Sequence, residues 1–190
     1  AEGHEPPYSK ADIQECIKHV VDVNWGDKTD IAPDVKMTME NAGHILGSSS
    51  VYMQIGEGKA EHRLLFSGDI KYEKSWLFDA ATVRFPKVDT LVIESTYGGP
   101  QSIQPTRHQA SQELQDLVSD TLSRKGKIFC PVFAVGRSQE VMLAIDELFK
   151  SGRVQPVTVW LDGMISEASA IHSSHPNFLN RELKKSMLRG

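Results

Sequence analysis

Along the first third of the chain, apolar and polar residues alternate with a period of two. Val35, Met37 and Met39 follow this rule, then Val51, Met53 and Ile55, and Arg63 to Phe66 returns after Gly56-Glu57-Gly58. This is the pattern of half-buried antiparallel strands joined by a glycine hairpin. Ahead of them, Ser9 and Asp12 have the spacing of a capping box. The helix it opens carries Ile13, Cys16, Ile17 and Val20 at helical intervals. Val21 to Trp25 reads as a short extended piece turned by Gly26-Asp27.

From about Val88 the period changes. Leu91-Val92-Ile93, Ile128 to Phe133 and Val157 to Leu161 are short apolar runs of the kind buried on both faces of a parallel sheet. Between them, Thr106 to Arg124 predicts a helix with Ala110, Leu114, Leu117 and Val118 inward and Gly126 as its stop. Ser138 to Lys150 predicts a second helix, carrying Val141, Met142, Ile145, Leu148 and Phe149. The order β-α-β-α-β implies right-handed crossovers and a parallel sheet covered by helices. A last helix is expected from Asn177 or Phe178 to the end, with Arg181, Lys185 and Arg189 on one face as a solvated stripe.

Composition narrows the class without naming a task. The 190 residues suffice for one good domain or two incomplete ones, and 39% hydrophobic with 24% charged residues is ordinary for a soluble globular protein. No apolar run is long enough for a membrane span. Cys16 and Cys130 are far apart and in no CxxC, so neither a disulfide framework nor a cysteine zinc site is indicated, and a cytoplasmic location is expected. A formal net charge of −4 does not advertise nucleic-acid binding, but it permits a local groove for a polyanion. The chain opens on Ala1 with neither Met nor a signal-peptide pattern, as an excised or processed piece would.

Candidate chemistry gathers where strands give way to glycine turns. His44 lies in Asn41-Ala42-Gly43-His44-Ile45-Leu46-Gly47-Ser48, Asp69 in Ser67-Gly68-Asp69, and Glu94 in Glu94-Ser95-Thr96-Tyr97-Gly98. Strand ends beside tight turns hold polar groups rigidly and leave them at an open edge. One imidazole and two carboxylates delivered this way are candidate ligands, or supports of ligands, for a hard or borderline cation. Ala134-Val135-Gly136-Arg137-Ser138 is a strand-to-helix turn that matches neither the dinucleotide nor the P-loop spacing, although a helix start with Arg137 beside it suits a phosphate. His172-Ser173-Ser174-His175 reads as a surface helix end rather than a ligand pair.

These motifs, with Pro131-Val132-Phe133-Ala134-Val135-Gly136-Arg137-Ser138-Gln139-Glu140 and Leu161-Asp162-Gly163-Met164, resemble the β-CASP branch of the metallo-β-lactamase nucleases. Within it, the likeness is greatest to archaeal homologues of the cleavage and polyadenylation specificity factor nuclease. The resemblance runs from about Pro6 to the end and implies an α/β fold. Residues 1–97 would be the second part of a metallo-β-lactamase αββα lobe, and residues 98–190 a parallel, helix-covered β-CASP segment. It also implies roles. His44 would ligate one zinc, Asp69 would bridge two, and Glu94 would support a catalytic histidine beyond this chain. Asp69 and Glu94 would then be catalytic, and His44 and Asp69 the metal ligands.

The implied activity is RNA cleavage, with endonuclease action in mRNA 3′-end processing or transcription termination and 5′-3′ exonuclease action as a further activity. RNA is the implied substrate, and a homodimer or processing-complex subunits are partners open to the whole protein. The family's His-x-His-x-Asp-His hallmark is absent, as are its later histidine motifs. A fragment with an incomplete zinc site is therefore expected. A non-catalytic β-CASP scaffold is the alternative, disfavoured because His44, Asp69 and Glu94 all stand.

Overall fold

The computed structural model describes residues 6–187. Ser9 caps helix α1 (Lys10–Lys18), its amide bound to the Asp12 carboxylate at 2.7 Å. No residue of α1 is buried, so its apolar stripe has no partner among the described residues. Strands β1 (Lys28–Ala32), β2 (Val35–Asn41), β3 (Ser49–Ile55) and β4 (His62–Phe66) then build an antiparallel sheet in chain order. The alternation seen in the sequence sets the register, with Met39 opposite Val51 and Val51 opposite Phe66. The β3–β4 connection is longer than a tight hairpin, since Gly58–Ala60 form a 3-10 turn.

β5 (Thr90–Val92) joins β4 in parallel and closes the five-stranded sheet. Because β3 runs against its neighbours, β2, β4 and β5 share one direction. Their C-terminal ends, at Asn41, Phe66 and Val92, lie along one edge of the sheet.

The second half departs from the expectation. Two helices form where the periodicity placed them, α2 (Arg107–Ser123), capped by Thr106 and Gln109, and α3 (Arg137–Lys150); a further helix that the periodicity did not place, α4 (Ile165–Ser174), follows. The expected strands do not form. Residues 128–133 and 157–161 are without regular structure, with Phe129 90% and Trp160 88% exposed. Leu91, Val92 and Ile93 are likewise exposed, not buried on two faces. Among the described residues, the segment from 98 onward thus holds helices and no strand, and the one parallel strand pair, β4–β5, lies before it.

The physical reason is that strands are made by pairing, and an apolar run without a hydrogen-bonded neighbour gains nothing from its β-propensity. The helices bury their stripes on one another instead. Val118, Leu148 and Val154 form a small core with Leu114, Leu122 and Phe149 packed against it. This seam follows i, i+4, i+8 on α2, so Leu117, expected inside, lies off it and is exposed.

A second core ties the halves of the chain together. Leu77, Phe78 and Leu179 are buried, with Leu46, Leu143 and Leu183 packed on them. Asn180 locks this core. Its amide donates to Leu77 O at 2.7 Å and its carboxamide to Trp76 O at 2.8 Å, while its Oδ1 accepts the Leu183 amide. The terminal helix starts later than expected, at Arg181 after a 3-10 turn at Pro176–Phe178; α5 (Arg181–Met187) leaves Arg181 and Lys185 exposed, and Arg189 lies outside the described residues. His172 is not at the surface. It is buried beside Phe78, with Nδ1 donating to Ala168 O at 2.7 Å.

Candidate metal centre

The His44 loop is made by its own polar atoms. Asn41, the last residue of β2, accepts the Gly43 amide on Oδ1 at 2.8 Å and donates from Nδ2 to Ala80 O. Ser48 Oγ accepts the His44 and Ile45 amides, and the Ala42 amide donates to Ser48 O. Gly43 turns at φ +68°, where a Cβ would stand 2.7 Å from Lys71 O and 2.9 Å from Ala81 N.

Gly43→Ala therefore meets both left-handed strain and an occupied space. It is expected to lower stability by about 2–4 kcal/mol, read from denaturant unfolding of the full-length protein. A change below about 0.5 kcal/mol, the range of ordinary surface substitutions, would refute so tight a seat.

Asp69 follows β4 through Ser67 and Gly68. Buried Ser67 is held on three sides. Its amide donates to Val92 O at 2.9 Å, its carbonyl accepts Ser50 Oγ, and its hydroxyl oxygen accepts the Glu94 amide at 3.1 Å. Lys71 then donates its amide to Ala42 O at 2.8 Å, which seats residues 69–71 against the His44 loop.

The result is a pair. His44 Nε2 lies 3.8 Å from Asp69 Oδ2, with the Asp69 side chain 70% exposed. Glu94, at the third strand end, points its carboxylate back into the turns. Oε1 accepts the Ile70 amide at 3.1 Å and Oε2 the Thr96 amide at 3.2 Å. The Thr96 side chain, then the Ile70 and Thr96 amides, hold its carboxyl below the ordinary glutamate range, and nearby His44 acts in the same direction. Glu94 is thus ionised at neutral pH.

The three residues predicted from the sequence do meet at one edge. Among the described residues, no group of three or more His, Cys, Asp or Glu could hold a metal ion. His44 and Asp69 are nevertheless donor types that zinc takes, with Nε2 and Oδ2 3.8 Å apart. They fit part of a coordination shell, not the three protein ligands a catalytic zinc needs.

Sequence reasoning passed over Asn41 and Lys71, which shape the site through backbone contacts. Asn41 stood inside the quoted motif and had the turn-forming side chain that marks such a role. Lys71 carried no local signal.

No family model matches the chain. It is 46% identical over 187 residues to transcription termination factor FttA of Lokiarchaeum sp., covering 98% of this chain and 29% of that protein. The protein of that name from Methanothermobacter thermautotrophicus is 46% identical over 178 residues, covering 94% and 28%. That of Pyrococcus horikoshii is 42% identical over 187 residues, covering 98% and 28%. Nearly all of this chain is therefore homologous to a segment spanning 28% to 29% of the length of these archaeal termination factors.

Proposed function

We propose that the chain is a segment of a zinc-dependent RNA-cleaving nuclease of the β-CASP type that acts in transcription termination. The observation that carries this is the meeting of His44 and Asp69 beyond the ends of β2 and β4 at one sheet edge, 3.8 Å apart, with Glu94 beyond the end of β5. The names of the relatives support the setting, termination, and hence RNA as the substrate. The two halves of the proposed identity thus rest on different supports.

In this reading His44 offers Nε2 and Asp69 a carboxylate oxygen to zinc, and the remaining ligands come from elsewhere in the full-length protein. Bound zinc would supply an acidified water and neutralise charge on the scissile phosphate. The residues of this chain perform the positioning. Asn41 and Ser48 fix the imidazole-bearing turn, so little conformational entropy remains to be lost when the ligands close on the ion. Glu94 holds the peptide that follows Asp69 and keeps that carboxylate in reach.

The test is chelation of the full-length protein, followed by a single-stranded RNA cleavage assay. Cleavage is expected to vanish on zinc removal and return when zinc is added back. Undiminished cleavage by protein verified to be zinc-free would overturn the reading. An RNA-binding protein with full zinc and no cleavage would instead be the non-catalytic scaffold.

A further inference from the structure

The site has a rim that the zinc chemistry does not use. Glu140, in the first turn of α3, places Oε2 3.7 Å from Lys71 Nζ and 3.6 Å from Arg137 Nη1. Its side chain is only 16% exposed, whereas those of Lys71 and Arg137 are 32% and 56% exposed. One sheltered carboxylate thus stands between two cations that reach solvent, leaving a net positive charge on this rim.

Both cations are placed by backbone that is already committed. Lys71 donates its amide to Ala42 O and accepts Ala81 N–H on its carbonyl, beside the turn that carries His44. Arg137 opens α3 on a pinned turn. Gly136 N–H goes to Gln139 Oε1 at 2.7 Å, and Ser138 Oγ and Gln139 Nε2 both donate to Ala134 O. That turn abuts the His44 loop, since a Cβ on Gly136 would lie 3.3 Å from Ile45 Cγ2.

The distances matter. Both ion pairs are longer than a hydrogen bond, so Glu140 orients the two cations without consuming their N–H groups. An ammonium has three donors and a guanidinium five, all complementary to phosphate oxygens. We infer that Lys71 and Arg137, held by Glu140, bind a backbone phosphate of the RNA strand flanking the one cleaved at the His44–Asp69 centre. This rests on the nuclease reading for the word "flanking", but the phosphate contacts themselves are testable by binding alone. Lys71 and Arg137 are positioning residues here: they place the strand and do not act on the reacting bonds.

The experiment measures RNA affinity of the full-length protein across a salt series, with single-turnover cleavage and zinc content on the same samples. The variants are Arg137→Gln, Arg137→Lys and the double variant Lys71→Gln with Glu140→Gln, which avoids stranding a sheltered carboxylate. Arg137→Gln and the double variant are each expected to make the slope of log affinity against log salt shallower, by up to about 0.7, the value of one whole single-strand phosphate contact. KM should rise on the order of tenfold, the scale of one lost charged hydrogen bond, with kcat and zinc content near wild type. Arg137→Lys should keep the wild-type slope.

A wild type that cleaves RNA, with unchanged slopes in both neutral variants, overturns the inference and spares the nuclease reading. A lowered kcat and melting temperature with an unchanged slope also overturns it, as a merely structural role. If the wild type binds RNA without cleaving it, the nuclease reading falls and a shallower slope in the variants still supports the phosphate contacts.

Discussion

Asp69→Ala in the full-length protein is expected to reduce RNA cleavage to background and to lower bound zinc, and His44→Ala is expected to do the same. Even partners one shell removed from a metal cost about 10–100-fold when lost, and a direct ligand costs more. Unfolding is not the cause, because the Asp69 side chain is 70% exposed and its removal should change stability by no more than about 0.5 kcal/mol. Asp69→Asn separates shape from charge. The amide keeps the size and one lone-pair-bearing oxygen, yet it contributes no negative charge next to a divalent ion, so it should be nearly as inactive. Zinc analysis alongside single-turnover cleavage makes the measurement. Full zinc content and normal turnover in both alanine variants would remove these residues from the centre.

The second large effect belongs to Glu94. Glu94→Gln is expected to leave zinc bound and to slow cleavage by about 10²–10⁴-fold, the range of a general acid–base contribution. Both carboxylate oxygens now accept amide protons, from Ile70 and Thr96. A glutamine can satisfy only one, and its NH₂ group would face the other donor. The peptide after Asp69 or the turn before Tyr97 then loses its anchor, and the negative charge beside His44 is gone. Loss of metal in this variant would mean that Glu94 ligates the ion or that its hold on the turn after Asp69 is needed to keep it, and an unaltered rate would make it a turn cap only.

The depressed carboxyl also sets a direction with pH. A carboxylate favoured in the folded state contributes stability above its unfolded pKa, near 4.3. That contribution is lost as pH falls through the lower folded value.

What the sequence revealed and what it hid divide along the range of the interactions. Ser9 with Asp12 and Thr106 with Gln109 cap helices over three residues, and both were legible or nearly so from spacing alone. Strands β2, β3 and β4 were legible because they are consecutive and each supplies the next one's pairing partner, whereas β1 was not expected. Residues 128–133 and 157–161 carry an equally good apolar pattern, but a parallel partner must come from far away in the chain, and the pattern does not say whether one is present. At the site, glycine turns pointed to His44, Asp69 and Glu94. Lys71 against Glu140 and Asn180 against Trp76 are ties between distant segments, invisible to any window of neighbouring residues.

The Asn180 clasp has a consequence for the order of events during synthesis. Its bond to Trp76 O spans 104 residues, and Leu179 beside it completes the apolar floor on which Leu46 of the His44 loop rests. Closing so long a loop costs entropy that no local contact offsets beforehand. The sheet edge bearing His44 and Asp69 emerges from the ribosome early, but its footing is not in place until the last turns of this segment have followed. A nascent chain therefore presents the loops of His44 and Asp69 before it can hold them still.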